Sequence, residues 1–351
     1  MNLYWPEHPF RSEASRERKR LARWDAAVRK ATRTLLLSHG GCLDGVASAI
    51  VTLRALGQDG VGVAYAQPSQ VREFLERLAP VAGAGRKLLV ADLSLQKPDF
   101  DAIVAACAQL KAGGWTIEWR DHHHKQWEGL ALERLHAHLA VLTVNGDATE
   151  SGATLQQQAI APTDTFAKRL AETVRDRDLW WNKTPDSETL EFALADLRTD
   201  AFTDAYLAAG ADALVVLPVI AEAAKRERDR QDSIRDRILA GTRNYGAGKT
   251  AVAVVYGQLP KNTGLHELIE RGAQVAINVR PNGKVSLRSA KPAAVCHLIA
   301  QKFSGGGHPN ASGADLGLRG LRYWWYVVRR GKVERVEEMA QLAVATLAAQ
   351  P

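Results

Sequence analysis

Four short stretches of the 351-residue sequence carry side chains that could do chemistry. They are Ser38-His39-Gly40-Gly41-Cys42-Leu43-Asp44-Gly45, the aspartate of Val90-Ala91-Asp92-Leu93-Ser94, Asp121-His122-His123-His124, and Asp176-Arg177-Asp178. A single carboxylate at a strand end is commonly a helix cap, and a single histidine is commonly a satisfied core or surface group. Three consecutive histidines directly after an aspartate, with further carboxylates nearby, are harder to explain by packing, because buried unpaired polar groups are costly. A metal site is therefore the favoured reading. Imidazole nitrogen and carboxylate oxygen together suit Mn²⁺, Mg²⁺ or Fe²⁺ at least as well as Zn²⁺, and several aspartates favour a dinuclear site with Mn²⁺ as the first expectation. Two ions about 3.5–4 Å apart lower the pKa of a bridging water, hold a phosphoryl oxygen and stabilise the leaving group, so the chemistry implied is phosphoester hydrolysis.

Those residues need elements to position them. From Thr34 onward, short apolar runs alternate with amphipathic segments, the pattern of β-α-β units around a parallel sheet. It predicts strands near 34–38, 62–66, 87–92, 115–120 and 140–144, and helices near 45–57, 69–79, 98–112, 126–138 and 151–160. Pro68, Pro98 and the Gly113-Gly114 pair act as start and stop signals. The fold class expected is α/β, a doubly wound parallel sheet followed by a smaller α/β domain. In such a sheet functional groups collect at the carboxyl ends of the strands. The first three stretches follow the first, third and fourth strands, and Asp176-Arg177-Asp178 ends a helix. Residues 163–210 read as further helices, and 211–240 as a long helix turning from apolar to alternately charged. Downstream come a strand at 251–257, a helix at 263–271, and two strands joined by Pro281-Asn282-Gly283-Lys284. A helix at 293–303 leads into Gly305-Gly306-Gly307-His308, and a strand-like segment at 321–328 precedes a helix at 333–349.

Gly305, Gly306 and Gly307 could expose successive backbone N–H groups in a concave nest, with His308 as a further donor, which suits a phosphate or a terminal nucleotide; a tight turn is the plainer alternative. Arg280 and Arg288 flank the adjacent hairpin, and a guanidinium binds phosphate bidentately.

The Asp-His-His string, preceded by Ser38–Gly45 and Val90–Ser94 and followed far downstream by Gly305–Gly313, resembles the DHH/DHHA1 phosphoesterase superfamily over about residues 33–345. The form His-x-x-Cys-x-Asp-Gly, together with Asp176-Arg177-Asp178-Leu179-Trp180, looks most like its oligoribonuclease or cyclic-nucleotide phosphodiesterase-like branch. The resemblance implies a two-metal domain joined to a smaller substrate-binding domain, with the active site in the cleft between them. Residue by residue, it implies His39, Asp44, Asp92, His122 and Asp176 as metal ligands, Asp92 as the bridging carboxylate, and Asp121 as the group orienting the histidines. His123 would face the scissile phosphate, and Gly305, Gly306, Gly307 and His308 would hold the substrate with Arg280 or Arg288. The chain departs from the family's His-x-x-x-Asp-x-Asp pattern. One carboxylate is missing, and either Cys42 stands in as a softer ligand or one ion is held more weakly.

The domains expected are a basic N-terminal arm (1–32), a metal-dependent catalytic domain (33–210), a helical linker (211–245) and a substrate-binding domain (246–351). Residues 1–33 carry nine Lys/Arg against four Asp/Glu, so most of the net charge of +7 sits there. A solvated helical leader explains that as simply as attraction to nucleic acid does. The segment Gly246-Ala247-Gly248-Lys249-Thr250 is not a phosphate-binding loop, because Arg243 stands where that motif needs glycine and a strand follows. Core packing is the favoured reading of Trp180-Trp181 and Trp324-Trp325; Trp180 is the better candidate for stacking on a base. An apolar content of 46% describes a folded protein. Three scattered cysteines argue against a disulfide framework and for a cytoplasmic setting, and the sequence offers neither an export signal nor a membrane span. The oligomeric state is open between monomer and homodimer.

The function expected is hydrolysis of short oligonucleotides or small nucleotides by attack of a metal-bound hydroxide. A phosphomonoesterase acting on a 3′,5′-bisphosphate nucleotide, pyrophosphate or polyphosphate is the first alternative. An inactive nucleotide- or nucleic-acid-binding protein is the second.

Overall fold

The apolar runs form five parallel strands, β1 (Thr34–His39), β2 (Val61–Ala66), β3 (Lys87–Ala91), β4 (Thr116–Asp121) and β5 (Val141–Val144), in the order β2-β1-β3-β4-β5. The computed structural model describes residues 13–145, 149–260, 263–317 and 334–350. Leu35, Leu36 and Leu37 are all buried, as expected of a central strand covered on both faces. Leu35 and Leu37 join one core with residues of α1 (Glu13–Lys30), α3 (Val71–Leu78) and α4 (Phe100–Ala112). Leu36 packs on the opposite face with Ala49 of α2 (Leu43–Leu56). A further core unites α2 with α7 (Gly152–Ile160), α8 (Thr165–Asp178) and α9 (Pro185–Leu207). The sheet is therefore doubly wound, and its strand order reverses between β1 and β3, the switch point at whose carboxyl ends open α/β sheets collect their functional groups.

The chain divides into two compact units, Met1–Glu227 and Arg228–Pro351, and the division falls inside α10 (Pro218–Leu239). Among the described residues the second unit has a six-stranded mixed sheet, order β10-β11-β9-β8-β7-β6. Its strands are β6 (Arg243–Tyr245), β7 (Val252–Tyr256), β8 (Val275–Val279), β9 (Lys284–Ser289), β10 (Gly306–His308) and β11 (Ala311–Asp315). Only β7 and β8 pair in parallel. Residues of α12 (Cys296–Gln301) and α13 (Glu334–Ala348) share its main core, and α11 (Thr263–Glu270) belongs to a second cluster with Leu239.

Several local expectations differ from the structure. The helix expected over 126–138 is two short ones, α5 (His124–Trp127) and α6 (Leu132–His136), because the Trp127 indole is held to the end of β4 and Gly129 turns the chain at φ 77°. The helix expected over 293–303 starts only at Cys296, whose N–H donates to Pro309 O rather than into a preceding helical turn. The long helix starts at Pro218, and residues 211–217 are non-helical. Within the basic leader, α1 leaves Arg16, Arg18, Lys19, Arg23, Arg29 and Lys30 exposed, as a solvated helix would, but its Trp24 is buried and donates to Tyr65 O, and Arg20 pairs with Glu73. Gly246–Thr250 links β6 to β7 through a single 3₁₀ turn. The segment 321–328 and Trp324-Trp325 lie outside the described residues. Among the described residues no helix is long and apolar enough to cross a membrane.

Candidate metal centre

The centre is built from the carboxyl ends of β1, β3 and β4. Asp92 follows β3 at φ 54°, a left-handed conformation that aspartate tolerates better than most residues, and is buried. His39 ends β1, Cys42 caps α2, and Asp44 lies in its first turn. Gly45 lets α2 begin directly against β1, since a Cβ there would lie 2.2 Å from His39 O.

Distances define one cluster. Asp92 Oδ1 is 3.3 Å from His122 Nε2 and 3.9 Å from His123 Nδ1. Asp92 Oδ2 is 3.4 Å from His39 Nδ1 and 3.3 Å from Cys42 Sγ. His122 Nε2 is also 3.7 Å from Asp44 Oδ2 and 3.4 Å from Asp178 Oδ2. The N-terminus of α7 supports Asp44: Gly152 N–H donates to Oδ2 at 2.6 Å and Ala153 N–H to Oδ1 at 2.9 Å. Only glycine fits that approach, because a Cβ on Gly152 would lie 2.4 Å from Asp92 Cβ.

Asp121 stands behind the histidines. Its Oδ1 is 2.8 Å from His123 Nδ1, and its Oδ2 accepts from Trp127 Nε1 at 2.6 Å. Trp127 is in turn set edge-on to Trp119, with ring centroids 5.4 Å apart. Gln67 supports His39 similarly, its Oε1 3.4 Å from His39 Nε2 while its amide donates to Gly40 O.

The charges are strongly coupled. Burial opposes ionisation of Asp92, but hydrogen bonding with His122 and His39 and the charges of His122 and His123 outweigh it and hold the carboxyl well below its ordinary range. Burial likewise works against the His122 imidazolium, and Asp92, Asp44 and Asp178 overcome it, lifting the group to about 9. His39 and His123 are raised for the same reason, by Asp92 and by Asp121 respectively. Burial, then the neighbouring carboxylates, pushes Asp44 up.

A divalent cation fits this arrangement. Asp92 Oδ1 and His122 Nε2 are buried and lack a well-aligned hydrogen-bond partner, although they face each other. Among the described residues three overlapping donor groups are present: His39, Cys42 and Asp92; Asp92, His122 and His123; and Asp44, His122 and Asp178. A cation would neutralise three crowded carboxylates and satisfy both orphaned atoms.

The structure thus brings together His39, Asp44, Asp92, His122, His123 and Asp121. It does not bring in Asp176. That carboxylate accepts from the amides of Lys183 and Thr184, and Asp178 occupies the position expected for it. Residues two apart on a helix point about 200° away from each other, so only one of this pair can face the cluster. Asp178, Trp127 and Gln67 are the supporting residues that sequence reasoning missed; the Asp-x-Asp spacing signalled Asp178 without giving its face.

Trp180 and Trp181 are not core residues, being 70% and 40% exposed. Their chain ends α8 and turns, with Trp180 at φ 57°, while the Arg177 guanidinium lies 5.1 Å from the Trp180 ring and Lys183 Nζ 4.3 Å from that of Trp181.

In the second unit, Gly305–Gly307 does not form the concave nest expected. Gly305 N–H donates to Ala300 O, and Gly306–His308 is extended as β10, paired with β11 at one edge of the sheet. Glycine is needed because a Cβ on Gly305 would lie 2.1 Å from Gly313 O. The pairings His308↔Ala311 and Ala311↔Arg288 put His308 and Arg288 in one row and so on one sheet face. Arg280 donates to Ser286 Oγ, two residues before Arg288 and on that same face.

No family model matches the chain, and neither does any curated protein. Among solved structures the chain is similar to an exopolyphosphatase-related protein from Bacteroides fragilis, at 14% identity over 93% of this chain and 96% of that one, with a TM-score of 0.44. It is similar to exonuclease RecJ bound to manganese, at 17% identity over 95% and 94%, with a TM-score of 0.42. A third is an uncharacterised protein from Helicobacter pylori G27, at 17% identity over 88% and 99%, with a TM-score of 0.35. None of these likenesses assigns a role to a residue of this chain.

Proposed function

We propose that this chain is a divalent-metal-dependent phosphodiesterase of the DHH/DHHA1 kind, acting on short oligonucleotides or small nucleotides and using Mn²⁺ or another divalent ion at its centre. The observation that carries this reading is the buried Asp92, placed between His39 and Cys42 on one side and His122, His123, Asp44 and Asp178 on the other. Divalent ions bound there would supply a Lewis acid and a nucleophile-generating site for in-line displacement at phosphorus.

The chain's own groups have separable tasks. Asp92 joins the two sides of the centre. Asp121 engages His123 Nδ1 and favours the charged imidazole, leaving Nε2 to meet a phosphate oxygen and offset the charge that develops on it. Gly152 and Ala153 fix Asp44 through the α7 N-terminus. The exposed rings of Trp180 and Trp181, two and three residues beyond Asp178, offer surfaces on which bases stack. Arg280, Arg288 and His308 share a face suited to substrate phosphate. Three free cysteines suit a reducing, cytoplasmic setting.

The test is product analysis. The purified protein is incubated with Mn²⁺ and a panel of 5′-phosphorylated dinucleotides, longer RNA, cyclic dinucleotides, 3′,5′-bisphosphate adenosine and pyrophosphate, with His122→Ala as control. Mononucleotides from the dinucleotides, absent from the control, are expected. Orthophosphate as sole product would move the assignment to a phosphomonoesterase, and tight binding without any product would make the chain a binding protein.

A further inference from the structure

The two oxygens of Asp92 face chemically different partners. On the Oδ1 side are the His122 and His123 nitrogens, with the carboxylates of Asp44 and Asp178 also close to His122. On the Oδ2 side are one imidazole and one thiol, His39 Nδ1 at 3.4 Å and Cys42 Sγ at 3.3 Å. The His39, Cys42 and Asp92 donor atoms all lie within 4.8 Å of one another. Donors held at about 2.0–2.3 Å from a tetrahedral ion stand about 3.3–3.8 Å apart, which the distances from Asp92 Oδ2 to His39 Nδ1 and Cys42 Sγ already match. Thiolate ligands favour Zn²⁺ and other thiophilic ions, whereas carboxylate and water favour Mn²⁺ and Mg²⁺.

Building on the phosphodiesterase reading, we infer that the two ion positions differ in kind. The His39–Cys42–Asp92 Oδ2 position takes a thiophilic divalent ion of the Zn²⁺ class, with Cys42 as a thiolate ligand, while the position around Asp44, His122 and Asp178 takes an oxygen-preferring ion of the Mn²⁺ class. The competing explanation is that Cys42 only caps α2, since its sulfur accepts from Gly45 N–H at 3.4 Å. Cysteine is not among the favoured caps, and a serine hydroxyl there could both accept from Gly45 and donate to Asp92. Cys42→Ser therefore preserves the cap and removes only the soft ligand.

The experiment uses the full chain, stripped of metal by a chelator and titrated with Co²⁺ as a spectroscopic stand-in for Zn²⁺. The wild type develops a near-ultraviolet sulfur-to-cobalt charge-transfer band that saturates at one ion per chain, and Cys42→Ser lacks it. Cys107 and Cys296 are present in both proteins, so the difference reports Cys42 alone. Competition against a chelating dye shows Zn²⁺ affinity falling at least about tenfold in Cys42→Ser, because even groups behind metal ligands are worth about 10- to 100-fold. Mn²⁺ affinity is unchanged, and matching thermal melts in chelator show that the variant folds. Co²⁺ binding to the wild type without the band, or undiminished Zn²⁺ affinity in Cys42→Ser, overturns the inference. Hydrolysis is assayed separately with Mn²⁺ alone and with one equivalent of Zn²⁺ followed by Mn²⁺: turnover without the band leaves the phosphodiesterase reading standing and removes this one. The band without turnover upholds the thiolate ligand and removes the phosphodiesterase reading.

Discussion

Asp92 is where the chemistry converges, because its two oxygens face both sides of the centre from a buried, left-handed position. Replacing it with asparagine keeps the shape and removes the shared charge, so divalent-ion binding by calorimetry and phosphodiester turnover should be lost together. The pH dependence follows from His122. In the metal-free protein its raised value of about 9, against an ordinary 6.5, means the charged form stabilises the fold. That contribution is full below about 6.5 and is lost as the pH rises through about 9, so the metal-free melting temperature should fall across this window. Ligation requires the neutral ring, so apparent metal affinity should rise over the same range, and calorimetry in buffers of different ionisation enthalpy should register proton release. Trp180→Ala should raise KM for a dinucleotide by about 5- to 150-fold, the equivalent of one stacked base at about 1–3 kcal/mol, with little change in kcat; an unchanged KM would remove the stacking role. His39, Asp44, Asp92, Asp121, His122 and His123 were legible in the sequence because each sits at a strand end or the helix start after it. Asp178 was not, since the choice between it and Asp176 depends on how α8 is rotated by packing of Phe166, Leu170 and Val174.

The elements hold these residues by contacts that periodicity does not reveal. Gly152 brings α7 against Asp92 and Asp44, and Gly152→Ala should force the helix outward, weakening metal binding and costing about 1–3 kcal/mol of stability by denaturant unfolding. Arg54 ties α2 to the helices behind it, pairing with Asp164 and donating to the carbonyls of Tyr206 and Ala209. Arg54→Ala should cost about 3 kcal/mol by leaving these acceptors unpaired. The strands of the first sheet were readable from their short apolar runs. The break between α5 and α6 was not, because it is set by Trp127 reaching Asp121, a contact made in three dimensions. The run Gly305–His308 marked an unusual backbone correctly, but pairing with β11 decides that it is a strand.

At the scale of the whole molecule, one unit carries the acidic and histidine-rich centre and the other carries Arg280, Arg288 and His308 on one sheet face. The alternation of strands and helices made this two-part α/β organisation visible in the sequence. The division within α10 was less visible, since Ile220, Ala223 and Ala224 pack in the first unit while Leu239 packs in the second, and one continuous helix serves both. If the second unit grips substrate phosphate, Arg288→Ala should raise KM and flatten its dependence on salt while sparing kcat. The most direct measurement is the rate of mononucleotide release from a 5′-phosphorylated dinucleotide as Mn²⁺ is titrated into metal-free protein, with wild type and Asp92→Asn side by side. The wild type should show saturable, metal-dependent release and the variant none; no release from the wild type at any Mn²⁺ concentration, with or without one equivalent of Zn²⁺, or equal release from both, would contradict a phosphodiesterase centred on Asp92.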